Sequence, residues 1–445
     1  MTHATIPVIA LVGRPNVGKS TLFNRLSKSS KALVDATPGV TRDRHYERVV
    51  WEESAFLLVD TGGIETGRLD DTITGLIQEQ TRQAIEEASV IVFMMDGREG
   101  LTAEDHRVVD LLRRAGKPLH YLVNKIDTPQ MEAQLLPAFY ELGVAPLWAV
   151  SASHGYGLAD FMAALTAGLP RPENGEEVPP DTIAIAMIGR PNVGKSSLAN
   201  RLLGEERMMV SDIPGTTREA VDALLEREGR RYLLIDTAGI RRKGRVTEKL
   251  EKFSVMRALK ALERCDIALV LIDAEEGITD QDTKVIGYAM EQGRACLILV
   301  NKWDLIRQDT KRQKQIMDDV ERLTGFVGFA PVVPVSALTG YGVKRLFPLV
   351  EKLYDQYSRE FATGRLNRVL QAAVQAHPPA VHQGRRIKLY YITQVATKPP
   401  TFVIFANDPK GVHFSYQRFL LNRFRTDLGL EMSPVRLILK ERQRR

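Results

Sequence analysis

The 445 residues exceed one ordinary domain, and at roughly 100–200 residues each they predict two to four. Hydrophobic residues at 44% and charged residues at 26% exclude collagen-like, low-complexity and disordered chains, and no apolar run reaches the roughly 18–20 residues that span a bilayer. The net charge of +6 is unevenly placed: residues 359–445 hold 16 basic and 5 acidic side chains, a net of +11, against 45 and 50 over the first 358 residues. So local an excess suggests an anionic partner, with nucleic acid the leading candidate. Cys265 and Cys296 stand far apart, without metal-ligand spacing, which fits a reducing cytoplasm and excludes a disulfide framework.

The N-terminal run Ile6–Val12 is short, lacks a basic flank and leads into a glycine motif, so it reads as a strand rather than a signal peptide. The motif is Gly13-Arg14-Pro15-Asn16-Val17-Gly18-Lys19-Ser20, the spacing of a phosphate loop between a strand and a helix. Glycines let backbone N–H groups wrap phosphates, the lysine meets the β- and γ-phosphates, and the serine hydroxyl ligates Mg²⁺. Next come Pro38-Gly39-Val40-Thr41-Arg42, with Thr41 as a candidate switch hydroxyl closing on Mg²⁺, and Asp60-Thr61-Gly62-Gly63 after the run Ala55–Val59. Asp60 is expected near Mg²⁺ and the Gly63 N–H near the γ-phosphate. Ile64 follows, where Ras-like enzymes carry a glutamine that orients the attacking water. The runs Val90–Met95 and Leu119–Val123 lead to Asn124-Lys125-Ile126-Asp127. One carboxylate accepts both guanine donors, N1–H and N2–H₂, and adenine offers no such pair, so Asp127 points to GTP and GDP rather than ATP. Asn124 is expected to reach the base's acceptors, the Lys125 stem to cover its face, and the Ala152 N–H in Ser151-Ala152 to donate to O6.

The chain then repeats itself. After Pro170–Pro180, rich in proline and acidic residues and read with Asp181 as a flexible linker, Gly189-Arg190-Pro191-Asn192-Val193-Gly194-Lys195-Ser196 returns 176 residues after its first copy. Thr217 in Pro214-Gly215-Thr216-Thr217-Arg218 and Asp236-Thr237-Ala238-Gly239-Ile240 keep that lag; Asn301-Lys302-Trp303-Asp304 lies at 177 and Ser336-Ala337 at 185. Each copy has five apolar runs between helical patterns, those of the second being Ile183–Ile188, Tyr232–Ile235, Ile267–Ile272, Cys296–Val300 and Val332–Val335. That pattern predicts an α/β fold, a mostly parallel sheet flanked by helices, with the motifs at strand ends where such folds bind ligands. The expected divisions are 1–169, a linker 170–181, 182–357 and a basic unit 358–445 of α-β-β-α-β order, a small α+β layer. The segments after the two Asp-x-x-Gly motifs differ in charge: 65–88 carries a net of −4 and 241–264 a net of +6.

With two copies of GRPNVGKS, DTxG and NKxD followed by a small basic unit, the chain resembles the EngA/Der family of double-GTPase ribosome-assembly factors over nearly its whole length. The resemblance implies two tandem P-loop GTPase domains and a KH-like domain, GTP hydrolysis in large ribosomal subunit assembly with rRNA contact, a cytoplasmic location and a monomer. It also implies a potassium ion held by Asn16 and Asn192, in place of the missing glutamine. The groups expected to act on the reacting phosphates are then Asn16, Lys19 and Thr41 in the first copy, and Asn192, Lys195 and Thr217 in the second. A KH domain that clamps RNA uses a GxxG loop, whereas Gly384-Arg385-Arg386-Ile387 lacks the second glycine. Alternatives are a potassium-activated GTPase of tRNA modification, which carries one G domain rather than two, and a GTP-gated scaffold with one inactive G domain.

Overall fold

The computed structural model describes residues 6–30, 46–52, 54–62, 84–169, 181–204, 209–212, 222–236, 255–382 and 384–442. Thr41, Thr217, Gly63, Ile64, Thr237, Ala238, Gly239 and Ile240 lie outside these residues, as do linker positions 170–180 and most of the two charge-contrasted segments. The fold separates into two compact units, one built on the first G domain and one comprising Gly175–Arg445 in its main span.

In the first unit the strands are β1 (Val8–Val12), β2 (Tyr46–Trp51), β3 (Ser54–Asp60), β4 (Val90–Asp96), β5 (Leu119–Asn124) and β6 (Leu147–Ala149). They form one sheet in the order β2-β3-β1-β4-β5-β6, parallel except for the β2–β3 pair. Alternation along β1 feeds two cores. Ile9 and Leu11 pack with Leu22, Leu26, Phe161 and Leu165 on one face. Ala10 and Val12 pack with Val108, Leu112 and Phe139 on the other. A strand buried on both faces has no use for polar side chains, which is why β1, β3 and β4 read as unbroken apolar runs. Truncating one such residue, Leu11→Ala for instance, costs about 2–5 kcal/mol. β2 was not anticipated. It is an edge strand of mostly half-exposed residues, Tyr-Glu-Arg-Val-Val-Trp, so no apolar run of strand length marks it.

The second unit repeats the plan with β7 (Ile183–Ile188), β8 (Met209–Asp212), β9 (Ala223–Arg227), β10 (Arg230–Ile235), β11 (Ile267–Asp273), β12 (Ala295–Asn301) and β13 (Val332–Pro334). Their order is β13-β12-β11-β7-β10-β9-β8, with β8 and β9 added antiparallel at one edge. In each sheet the motif-bearing strand ends line one edge, and the register sets Asp96 beside Asn124 and Asp273 beside Asn301.

The helix Leu346–Tyr357 leads into the basic unit. It contains the helix Thr363–Ala376, a short hairpin β14 (Val381–His382) and β15 (Arg385–Arg386), then β16 (Leu389–Ala396), β17 (Thr401–Ala406), the helix Phe414–Leu428 and β18 (Arg436–Glu441). The expected α-β-β-α-β order is present, with the hairpin as an addition. β17 lies at the centre of a mixed three-stranded sheet. Leu366, Leu370, Leu420 and Phe424 from the two helices pack on Ile392, Phe402 and Ile404. This unit is seated on the second G domain. Lys398 Nζ reaches Asp266 Oδ1 at 3.2 Å and the Tyr354 hydroxyl at 2.6 Å, and the Arg436 guanidinium donates to the Glu291 carbonyl at 3.0 Å.

Candidate nucleotide-binding sites

Both phosphate-loop motifs turn from a strand, β1 or β7, into a helix, Lys19–Ser30 or Lys195–Leu203. Gly18 and Gly194 have φ of 101° and 95°, and a Cβ at either would stand 2.2 Å from the amide nitrogen of Asn124 or Asn301. Only glycine satisfies both constraints. Asn16 and Asn192 stand at φ 66° and 62°, a conformation that asparagine tolerates better than most residues. Lys19 is 4% exposed, and its ammonium donates to the carbonyls of Gly13 at 2.8 Å and Arg14 at 2.7 Å. Lys195 makes the same pair with Gly189 at 3.0 Å and Arg190 at 2.6 Å. Burial pushes the Lys19 pKa down to about 8, against a smaller upward pull from Asp60. A buried cation held by neutral carbonyls at the mouth of a helix N-terminus suits a phosphate group.

Ser20 Oγ donates to Asp60 Oδ2 at 2.7 Å, and Asp60 Oδ1 accepts the Gly62 N–H at 3.0 Å. A hydroxyl and a carboxylate brought together beside that lysine are hard oxygen donors of the kind Mg²⁺ takes. The second copy differs here. Asp236 stands at φ 59°, and its N–H donates to Asp222 Oδ1 at 3.0 Å. Asp222 is 3% exposed and is bonded by the Arg264 guanidinium. At the 176-residue lag these partners are Tyr46 and Ala88, so the buried pair belongs to the second copy alone.

On the base side, Asn124 is 3% exposed; its amide donates to the Val17 carbonyl at 2.8 Å and its oxygen accepts the Ala152 N–H at 2.9 Å. Asn301 repeats this with Val193 at 2.7 Å and Ala337 at 2.9 Å. These are the asparagines expected to reach the base's acceptors and the alanine N–H groups expected to donate to O6, and the fold brings them together. Each asparagine ties the phosphate loop to the Ser-Ala turn, and each alanine N–H already has an acceptor. Lys125 and Lys302, at φ 69° and 62°, pair with Asp96 and Asp273. Burial raises the Asp96 pKa, but Lys125 and the N–H groups of Arg98 and Glu99 outweigh it and hold the carboxyl below its ordinary value. Ile126 and Trp303 are buried, their N–H groups on the carbonyls of Val150 at 3.1 Å and Val335 at 3.1 Å. Ser151 and Ser336 are buried too, each Oγ capping its turn at 3.0 Å.

The two specificity carboxylates differ. Asp127 Oδ2 accepts from Arg98 at 2.7 Å, and its pKa is held low, first by the Ser151 hydroxyl and then by Arg98. Asp304 Oδ1 is buried with no hydrogen-bond partner. The residue matching Arg98 at the 177-residue lag is Glu275, which has no donor side chain to offer. An orphaned carboxylate oxygen is costly to keep, and a base presenting two N–H donors to it fits the site.

A family model for a 50S ribosome-binding GTPase matches residues 8–125 and 184–302, and one for the C-terminal KH-domain-like unit of EngA bacterial GTPases matches 361–440. The protein named GTPase Der of Geobacter metallireducens is 49% identical over 440 residues, covering 99% of this chain and 100% of that protein. The chain belongs to the EngA/Der family of GTPases. The GTPase Der of Geobacillus thermodenitrificans is 48% identical over 437 residues, covering 98% of this chain and 99% of the relative. Among solved structures, Era of Aquifex aeolicus bound to GDP and AlF₄⁻ is 21% identical with a TM-score of 0.33, covering 58% of this chain and 88% of that one. As an EngA/Der protein the chain is a GTP-hydrolysing enzyme with two P-loop GTPase domains and a KH-like domain.

Motif reading missed two clasps that this EngA/Der chain repeats in both copies. Arg14 bonds Asp105 at 2.9 Å and Glu99 at 3.0 Å, and Arg190 bonds Asp282 at 3.0 Å and Glu276 at 2.7 Å. The buried aspartates are also the capping-box residues of the helices Ala103–Arg114 and Asp280–Glu291, opposite Thr102 and Thr279. Arg25, on the phosphate-loop helix, donates to the carbonyls of Ala152, at 2.6 Å, and Ser153, and Arg201 to those of Ala337, at 2.5 Å, and Leu338. The signal was available in the duplication, because each of these side chains recurs at a lag of 176 or 177.

Proposed function

We propose that this GTPase acts as a switch in large ribosomal subunit assembly, its two G domains gating contact of the basic KH-like unit with rRNA. The observation that carries the reading is the coincidence, in one chain, of two copies of the nucleotide-binding motifs and a C-terminal segment of net charge +11. The names given to the family models, 50S ribosome-binding GTPase and EngA bacterial GTPase, support it.

In each domain Lys19 or Lys195 would hold the β- and γ-phosphates, Asp127 or Asp304 the guanine N1–H and N2–H₂, and the buried asparagine would keep the two ends of the nucleotide in register. Ser20 with Asp60, and Ser196 with Asp236, would hold Mg²⁺, joined by Thr41 and Thr217 when the γ-phosphate is present. Bound there, the metal would neutralise charge on the phosphates. Asn16 and Asn192, exposed at the loop tips, are the proposed potassium ligands. Hydrolysis attaches a water oxygen to the γ-phosphorus and releases GDP and inorganic phosphate. Pelleting the purified chain with separated ribosomal subunits, under GTP analogue and under GDP, tests the proposal. Nucleotide-dependent association with the large subunit, falling with salt, is expected; association with neither subunit under either nucleotide would refute it.

A further inference from the structure

The KH-like unit lacks the second glycine of an RNA-clamping loop, and Gly384 instead serves the β14–β15 turn at φ 73°. A different surface stands out. Register pairs Tyr391 with Phe405 and Phe405 with Lys440, so these three form one row across β16, β17 and β18. Because Ile392, Phe402 and Ile404 face the helices, the row lies on the opposite side of the sheet. The rings of Tyr391 and Phe405 stack with centroids 4.4 Å apart and planes 17° from parallel, yet Tyr391 stays 40% exposed. A register shift between Leu389 and Tyr391 breaks the alternation at Tyr390, which is also 40% exposed and carries the Arg442 guanidinium 4.9 Å from its ring centroid. Arg436, two register steps from Lys440 on the same face, is taken by the Glu291 carbonyl, so the second G domain occupies one end of this face and the aromatic row lies at the other.

An apolar protein partner would have to desolvate Lys440 and Arg442 to cover these rings and would bring no counter-charge to them. A partner with flat π faces and a charged backbone satisfies rings and cations together. We propose that Tyr390, Tyr391 and Phe405, flanked by Lys440 and Arg442, form a base-stacking platform for single-stranded RNA. It rests on the ribosomal reading above only for the source of the RNA. Base stacking on an exposed ring is worth roughly 5- to 150-fold in affinity per ring. Duplex RNA keeps its bases stacked internally and can use only the cations.

The test is binding of the full chain to an unstructured RNA oligonucleotide and to a matched duplex, at two salt concentrations. Wild type should prefer the single strand. Tyr391→Ala should weaken single-strand binding by roughly 5- to 150-fold with the salt dependence unchanged, and Tyr391→Phe should restore it. Lys440→Gln or Arg442→Gln should instead lower the slope of log affinity against log salt by about 0.7. Tyr391→Leu, which keeps the apolar cover of Phe405 and removes the flat ring, guards against a folding defect; it should behave as Tyr391→Ala with wild-type GTPase activity. Equal binding of duplex and single strand, or single-strand affinity within twofold of wild type in both the Ala and Leu variants, overturns the platform. If the oligonucleotide does not bind while subunit pelleting persists, the platform fails and the ribosomal reading stands. If, in that case, Tyr391→Ala also weakens pelleting, the face docks a protein and the RNA platform is wrong. If the oligonucleotide binds and no subunit pellets, the platform stands and the ribosomal source fails.

Discussion

Replacing Asp304 by Asn exposes the asymmetry between the two guanine sites. Asp304 Oδ1 is buried without a partner, so in the second domain the carboxylate meets guanine with no internal bond to break. Each hydrogen bond to a charged group is worth about 1.5–3 kcal/mol, and two are lost on substitution, giving about 3–6 kcal/mol or roughly 10²- to 10⁴-fold in GDP affinity. The Asn amide would donate to the O2 of xanthine, so xanthine nucleotides should gain what guanine nucleotides lose. Asp127→Asn should cost the first domain less, because the Arg98 contact to Asp127 must already yield to the base in the wild type. The assay is titration of each single variant with fluorescent GDP and XDP, the other domain being silenced through its phosphate-loop lysine. GDP affinity within threefold of wild type in Asp304→Asn would refute the guanine assignment. Equal losses in the two domains would refute the role given to Arg98.

Three further outcomes are expected. Arg25→Lys or Arg201→Lys removes a two-pronged guanidinium contact to the Ser-Ala turn, so GDP release from that domain should quicken by roughly 5- to 30-fold, about 1–2 kcal/mol; an unchanged release rate with a lowered melting temperature would make the clasp purely structural. Lys19 has its pKa lowered from 10.5 to about 8, so the unfolded chain binds more protons than the native one between those values and this group's contribution to stability rises with pH across that window. A bound diphosphate draws the proton back, so GDP affinity of the first domain should fall above pH 8, by up to about tenfold per pH unit, and Lys19→Arg should flatten the profile; a flat wild-type profile from pH 7 to 10 counts against it. GTP hydrolysis should run faster in K⁺ than in Na⁺ at equal ionic strength, and Asn16→Ala or Asn192→Ala should abolish the difference in its own domain; equal rates in both salts would remove potassium from the account.

Much of this protein was legible without coordinates, for definable reasons. A phosphate loop is local: strand, glycine turn and helix follow one another within about 25 residues, and the chemistry lies in consecutive letters. Buried parallel strands must be apolar on both faces, so β1, β4, β7, β11 and β12 announce themselves. The duplication turned each weak motif into a repeated one, and the charge of the last 87 residues marked the basic unit.

Other features required the folded chain. The edge strands β2 and β8 carry no apolar run of strand length, because one side of an edge strand meets water and only the pairing partner defines it. The clasps of Arg14 on Asp105, Arg25 on Ala152 and Asn124 on Val17 join residues 91, 127 and 107 positions apart. Their existence depends on which helix packs against which strand end, and no local pattern encodes that. The row of Tyr391, Phe405 and Lys440 exists only through strand register, since those letters are scattered over 50 residues of sequence. Asp127 and Asp304 close the same four-letter motif and read alike; the loop that reaches them brings Arg98 to one, while its counterpart in the other copy is Glu275. The motif sets the chemistry available to each carboxylate, and tertiary packing decides whether that carboxylate is already paired.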